Sequence, residues 1–199
     1  MKKKVIIGYP LIIFLGINIS SFLLLIYFYK NDFSNYVVFK TLLFIVLLWL
    51  PYLISKVVDL DFPKLIYQLY FLIIFSDIML GSIFMINGIF GLYKYIVLLF
   101  QGVAYLIFGL WLIKFLDDYG YMSYKLIVVF SYTFAISFAS IKELLLYLFE
   151  KLFKDTTINH LQNLLIIICG ITFSLIVLVV DNIYYKGKYY RLLDRYLIK

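Results

Sequence analysis

Two neighbouring stretches hold the residues best able to do chemistry. "IKELLLYLFEKLF" carries Lys142, Glu143, Tyr147 and Glu150, and "DTTINHLQN" carries Asp155, Asn159, Asn163 and the sole histidine, His160. Carboxylates beside a lysine and an imidazole can hold a cation, pass a proton or neutralise one another. Asp155, Asn159 and Asn163 recur every fourth residue and so share one helix face. At about 100° per residue, Thr133, Ser137, Ser140, Glu143, Tyr147, Glu150 and Lys154 fall within a sector of about 140°. Phe134, Phe138, Leu145 and Phe149 make the opposite face apolar. Gln101 and Lys94, from an earlier segment, complete a candidate polar cluster, and Asp77 stands alone within another apolar run.

Other chemistries find little support. There is no HExxH and no GxSxG, and one histidine with one cysteine does not make a zinc site. Cys169 lies nine residues beyond His160. A rotation of about 900° places the two on opposite sides of a helix, so they form no dyad within it. We therefore expect no catalytic residue, no metal and no cofactor, and read the chain as non-enzymatic. At the edge of an apolar segment, His160 reads as an uncharged surface group. Lys142 reads as reaching outward or neutralising a carboxylate.

The elements that position these groups follow from composition. Hydrophobic residues make up 65% of the 199 positions and charged ones 15%, against about half and a quarter in soluble domains. That surplus cannot be buried in a water-soluble globule of this length, so the surrounding solvent is lipid. Apolar stretches of about 18 residues or more mark membrane-spanning helices. Six are expected, at about 5–29, 36–54, 65–89, 95–113, 124–149 and 161–184, with Pro51 in the last turn of the second. The fold class is thus all-α, a polytopic bundle forming a single integral membrane domain over residues 1–199. "MKKK" precedes an apolar run too long for a signal-peptide core, so the first span reads as a retained helix.

Basic residues set the orientation. With the N-terminus inside, the cytoplasmic side holds Lys2, Lys3, Lys4, Lys56, Lys64, Lys114, Lys125, Lys186, Lys188, Arg191, Arg195 and Lys199. The outside holds Lys30, Lys40, Lys94, Lys151 and Lys154. That asymmetry predicts cytoplasmic termini and puts Glu143, Glu150, Asp155 and Asn159 in the outer half. The net charge of +7 belongs to this pattern rather than to a nucleic-acid footprint, since no soluble basic domain carries it. The expected partner is the bilayer, with room for a protein partner or a second copy of the chain. The tail "YYKGKYYRLLDRYLIK" alternates rings with cations and reads as an anchor on anionic headgroups.

A charge at the bilayer centre costs about 2.5–3.5 kcal/mol on insertion scales, so such residues need partners or mark a function. Polar faces also serve to hydrogen-bond helices together, at about 0.6–2 kcal/mol per contact. Gly102, Gly109 and Gly170 are expected at close helix packing.

In order along the chain, "SDIMLGS" (Ser76–Ser82), "KYIVLLFQGVAYLIFG" (Lys94–Gly109), "FSYTFAISFASIKELLLYLFEKLF" (Phe130–Phe153) and "DTTINHLQNLLIIICG" (Asp155–Gly170) form a series. This series resembles the YjdF-type bacterial membrane proteins, distant relatives of the VanZ-like proteins of glycopeptide tolerance. Glu143, Asp155, Thr156, Asn163, Gly102 and Gly170 stand where that family has the same residue, and Glu150 stands for an aspartate. Leu98 takes a histidine place, Lys94 an aspartate place, Leu146 a glutamate place, Asn159 an aspartate place and Lys142 a tryptophan place. The resemblance implies a polar site once suited to a cation or to proton transfer. Its departures imply that this chemistry has given way to internal ion pairing. The expected role is binding a partner, lipid-like ligand or ion in the outer half of the membrane, in an envelope or immunity setting. The alternative is a small transporter or channel component.

Overall fold

The computed structural model describes residues 11–31, 35–58, 62–84, 86–117, 121–153 and 159–197. Among them all regular structure is helical: α1 (Leu11–Lys30), α2 (Asn35–Val58), α3 (Lys64–Ile74, continuing as a wider π-wound stretch Phe75–Ile83), a short α4 (Ile86–Ile89), α5 (Gly91–Leu116), α6 (Tyr124–Phe153), α7 (His160–Tyr184) and α8 (Lys188–Leu197). Five of these are long and apolar enough to cross a membrane, over Val37–Val57, Lys64–Gly81, Gly91–Leu116, Tyr124–Lys151 and His160–Tyr184. In α1 the described apolar stretch is Gly16–Lys30, and residues 5–10 of the first expected span lie outside the described ones. Side chains such as Leu23, Val57, Ile96, Leu161 and Phe173 are exposed on the helices, an apolar surface that only lipid or another protein would cover.

The chain gathers into two compact units, divided between Lys94 and Tyr95. The N-terminal unit buries Phe28, Phe44, Leu48, Ile74, Met79 and Ile83 together. In lipid every backbone polar group needs a protein partner, and two tyrosines here serve carbonyls that the helices cannot. Pro51 has no N–H to give the Leu47 carbonyl one turn back, yet α2 continues to Val58. The Tyr70 hydroxyl donates to that carbonyl instead, at 2.8 Å. The second helix thus runs past its expected end at about residue 54 to Val58, because a neighbour fills the bond left vacant at Pro51. In the third span, expected as one regular helix over 65–89, the winding widens at Phe75. The Tyr93 hydroxyl there donates to the Ser76 carbonyl at 3.0 Å. Gly81 belongs to this stretch: a Cβ would come within 2.9 Å of the Asn87 amide and 3.2 Å of the Ser76 carbonyl oxygen.

In the C-terminal unit α6 and α7 form an antiparallel hairpin. The Tyr124 hydroxyl donates to the Leu178 carbonyl at 3.1 Å, Tyr132 meets Thr172 at 3.3 Å, and Glu143 meets His160. The face of α6 turned inward is a stripe of small residues, Ser131, Ala135 and Ala139, all 0% exposed, leading to Glu143 and Glu150. The expected polar face of α6 is corrected here, for Thr133 and Ser137 are exposed on the other side. Their hydroxyls donate to the carbonyls of Val129 and Thr133 at 3.0 and 2.9 Å, which removes the cost of facing lipid. Phe134 and Phe138, expected on the apolar face, stack with each other and pack on Phe108 of α5.

Glycines decide how closely α5 approaches its neighbours. A Cβ on Gly102 would run into the Ile167 carbonyl oxygen and stand 2.8 Å from the Ile171 nitrogen, and one on Gly170 would meet the Leu99 carbonyl oxygen. Backbone therefore lies on backbone where α5 crosses α7. Gly109 does the same against α6, where a Cβ would be 2.7 Å from the Ser131 carbonyl oxygen.

Candidate functional site

The tight crossing of α5, α6 and α7 brings their polar groups together at one end of the hairpin. α6 supplies Lys142, Glu143 and Glu150. α7 begins at His160, because Asn159 caps it by accepting from the Gln162 amide at 3.1 Å. An N-cap carbonyl satisfies a donor that the first turn would otherwise leave open. The helix thus starts within "DTTINHLQN", and its first residue points into the bundle.

His160 lies between two carboxylates of α6. Its Nδ1 stands 3.0 Å from Glu143 Oε2 and its Nε2 2.7 Å from Glu150 Oε2. Lys142 Nζ donates to Glu143 Oε1 at 3.0 Å and to Gln101 Oε1 of α5 at 3.0 Å. The network is largely closed to solvent: Glu143 is 3% exposed, Glu150 6% and Gln101 0%. The expectation of His160 as a surface group is therefore corrected. Its side chain is 13% exposed and it joins two buried acids. The Tyr147 ring meets the imidazole edge-on, centroids 5.8 Å apart, with Tyr147 itself half outside.

Counting protons shows what this arrangement can do. Each nitrogen–oxygen contact of His160 needs one hydrogen between the two atoms. An imidazolium between two carboxylates meets that condition, and so does a neutral imidazole with one carboxylic acid. In either case Lys142, Glu143, His160 and Glu150 sum to zero charge. Buried charge is tolerated only when paired and hydrogen-bonded, and this set is neutral in both proton arrangements. The proton can therefore shift along Glu143–His160–Glu150 without a change of net charge.

The other sequence candidates fall around this centre or away from it. Asn163 is buried one turn deeper on α7, 6% exposed, and its Oδ1 has no hydrogen-bond partner among the described residues. Asn159 serves as the cap. Lys94 falls in the N-terminal unit, half-buried in the first turn of α5. Asp155, with Lys154 and Thr156, lies outside the described residues. Asp77 sits half-buried in the π-wound stretch of the N-terminal unit. Among the described residues no group of three or more His, Cys, Asp or Glu side chains is placed to hold a metal ion.

His160 could have been found from its register. It stands 7, 11 and 18 residues before Ile167, Ile171 and Leu178, all buried on α7, and these intervals return to one helix face. A second polar anchor on α7 is Asp181, whose place in a run of aliphatic residues sets it apart. It is 2% exposed, and its Oδ2 accepts from the Tyr190 amide at 2.9 Å. This caps α8 from the preceding helix, across a turn with Lys186 and Gly187 at φ of 52° and 69°. His160 and Asp181 are 21 residues apart on α7, about 31 Å at 1.5 Å per residue. A hydrocarbon core is about 30 Å thick. A bilayer spanned by α7 therefore has the network near one boundary and the α8 cap near the other.

Comparison of the chain with protein-family models, with curated proteins and with solved structures finds no match.

Proposed function

We propose that this chain is a multi-pass protein of the bacterial plasma membrane that catalyses no covalent reaction. In this reading the Lys142–Glu143–His160–Glu150 network is the floor of a binding site for a partner or lipid-like ligand, in the outer half of the bilayer. The observation that carries it is the engagement of both His160 ring nitrogens by buried carboxylates. A general base needs a free lone pair aimed at substrate, and here both nitrogens face acids of the same helix. What such a set offers is a neutral, proton-holding cluster next to the buried Asn163 oxygen. A ligand carrying hydroxyl or amide donors complements that oxygen. The outward placement and cytoplasmic termini rest on the distribution of basic residues, and a distant relation to the YjdF-type proteins agrees with Glu143, Asn163, Gly102 and Gly170.

The test is native mass spectrometry of the protein extracted from its own membrane in polymer-bounded discs. Wild type is expected to carry a ligand above the bulk-lipid background. Glu143→Gln, checked for helicity by circular dichroism, is expected to lose it. Equal ligand content in the two proteins, or turnover of a substrate that Glu143→Gln abolishes, refutes the reading.

One observation favours a second reading, a small transporter component. The third expected span is not a continuous α-helix: it is π-wound around Asp77 and gives way to the separate α4. Interrupted helices at membrane depth are a feature of transporter sites. Absence of any flux driven by pH or potential in proteoliposomes rules it out.

A further inference from the structure

At the end of the C-terminal unit that carries α8, some cations form no ion pair among the described residues. Asp117 accepts from the backbone amides of Tyr121 and Met122, at 3.0 Å each, and Asp181 accepts from that of Tyr190. Both carboxylates are thus turned toward peptide N–H groups. Arg191 gives its Nη2 to the Lys186 carbonyl at 3.0 Å and its Nε to the Gly187 carbonyl at 3.4 Å, neither of which carries a formal charge. Lys125, Lys186 and Arg191 are exposed, and none of them forms an ion pair among the described residues.

The same end is rimmed by exposed rings and one aliphatic chain: Ile183 at 65%, Tyr184 at 75%, Tyr185 at 56% and Tyr196 at 61%. Tyrosine beside cations is the composition of a membrane–water boundary. Contacts tie the α8 helix to the elements before it. Its N-terminus is capped by Asp181, and the Tyr190 ring is held edge-on by Tyr124 at 4.7 Å with Lys114 Nζ 4.3 Å from its centroid. Cations are therefore presented at a set position, with apolar rings beside them.

We propose that Lys125, Lys186 and Arg191 form a binding surface for acidic phospholipid headgroups, whose acyl chains are covered by Ile183 and the exposed tyrosines. A phosphate in solution would satisfy the cations alone, whereas the rings call for a lipid. The surface lies at the far end of α7 from His160 and does not depend on the function assigned to the network there.

The experiment is thermal unfolding of the whole purified protein in dodecyl maltoside, titrated with phosphatidylglycerol, phosphatidylcholine or inorganic phosphate. Phosphatidylglycerol is expected to raise the midpoint and the other two to leave it nearly unchanged. Each cation near an anionic surface is worth about fivefold in affinity. The triple variant Lys125→Gln, Lys186→Gln, Arg191→Gln therefore needs roughly a hundredfold more phosphatidylglycerol for half the shift. Wild type supplies a second measurement that needs no variant. Raising salt from 0.1 M to 1 M shortens the screening length from about 10 Å to about 3 Å, so it must erase the preference for phosphatidylglycerol. The proposal is overturned if both lipids stabilise equally, if phosphate alone reproduces the shift, if the preference survives 1 M salt, or if a folded triple variant keeps wild-type affinity.

Discussion

Replacing His160 with alanine tests the network most directly. The imidazole joins two carboxylates at 3.0 and 2.7 Å, with side-chain exposures of 13% for His160, 4% for Glu143 and 8% for Glu150. Opposite charges about 4 Å apart attract by about 4 kcal/mol at an effective dielectric constant of about 20. Desolvation offsets part of this, and breaking one buried pair commonly costs about 3–5 kcal/mol because a charge is left unmatched. His160→Ala leaves Lys142 against two acids, a net charge of −1. We expect it to lose about 3–5 kcal/mol in detergent–denaturant unfolding followed by circular dichroism. Adding Glu150→Gln returns the sum to zero, so the double variant should recover about 1–3 kcal/mol relative to His160→Ala, a coupling of the size seen for groups in one network. The reasoning fails if His160→Ala stays within about 1 kcal/mol of wild type, or if the double variant is less stable than the single.

Three further outcomes are expected. Gly170→Leu drives a side chain into the Leu99 backbone and should cost more than about 3 kcal/mol or prevent folding, whereas Gly16→Ala, with open space around it and inside a helix, should raise stability by up to about 1 kcal/mol; melting curves of the two decide it. Tyr70→Phe leaves the Leu47 carbonyl without a donor and should cost about 1–3 kcal/mol, a loss that Pro51→Ala should largely remove by restoring an N–H, read as a double-mutant cycle. Asp181→Ala should cost about 0.5–2 kcal/mol and speed hydrogen exchange at the first amides of α8, while exchange in the middle of α6 stays as it is.

Apolar length alone made the spans of α2, α3, α5, α6 and α7 legible, since about twenty lipid-compatible residues in a row leave few other structures open. What eluded the pattern depends on partners far along the chain. Nothing local to Pro51 announces that Tyr70 will supply its missing bond. Nothing local to Ser76 announces the wider winding that Tyr93 accompanies. Glu143 and Glu150 stand out in sequence because acids are rare among leucines, and Gly102 and Gly170 because they lack side chains. His160 was hidden by its position at the first residue of a helix, where exposure is the ordinary expectation. The polar sector of α6 misled because it averaged Thr133 and Ser137, which bond to their own helix, with acids that bond across to another.

The adjacency of Lys142 and Glu143 bears on how such a hairpin enters a membrane during synthesis. A helix delivered with a cation and an acid in the same turn carries them as a nearly neutral pair, and the next helix brings His160 as a further mate for Glu150. That mate is only ten residues behind it in the chain, so His160 arrives almost as soon as α6 has left the ribosome. Pairing can then precede the docking of either helix on α5, and the polar hairpin reaches the lipid already reconciled with it.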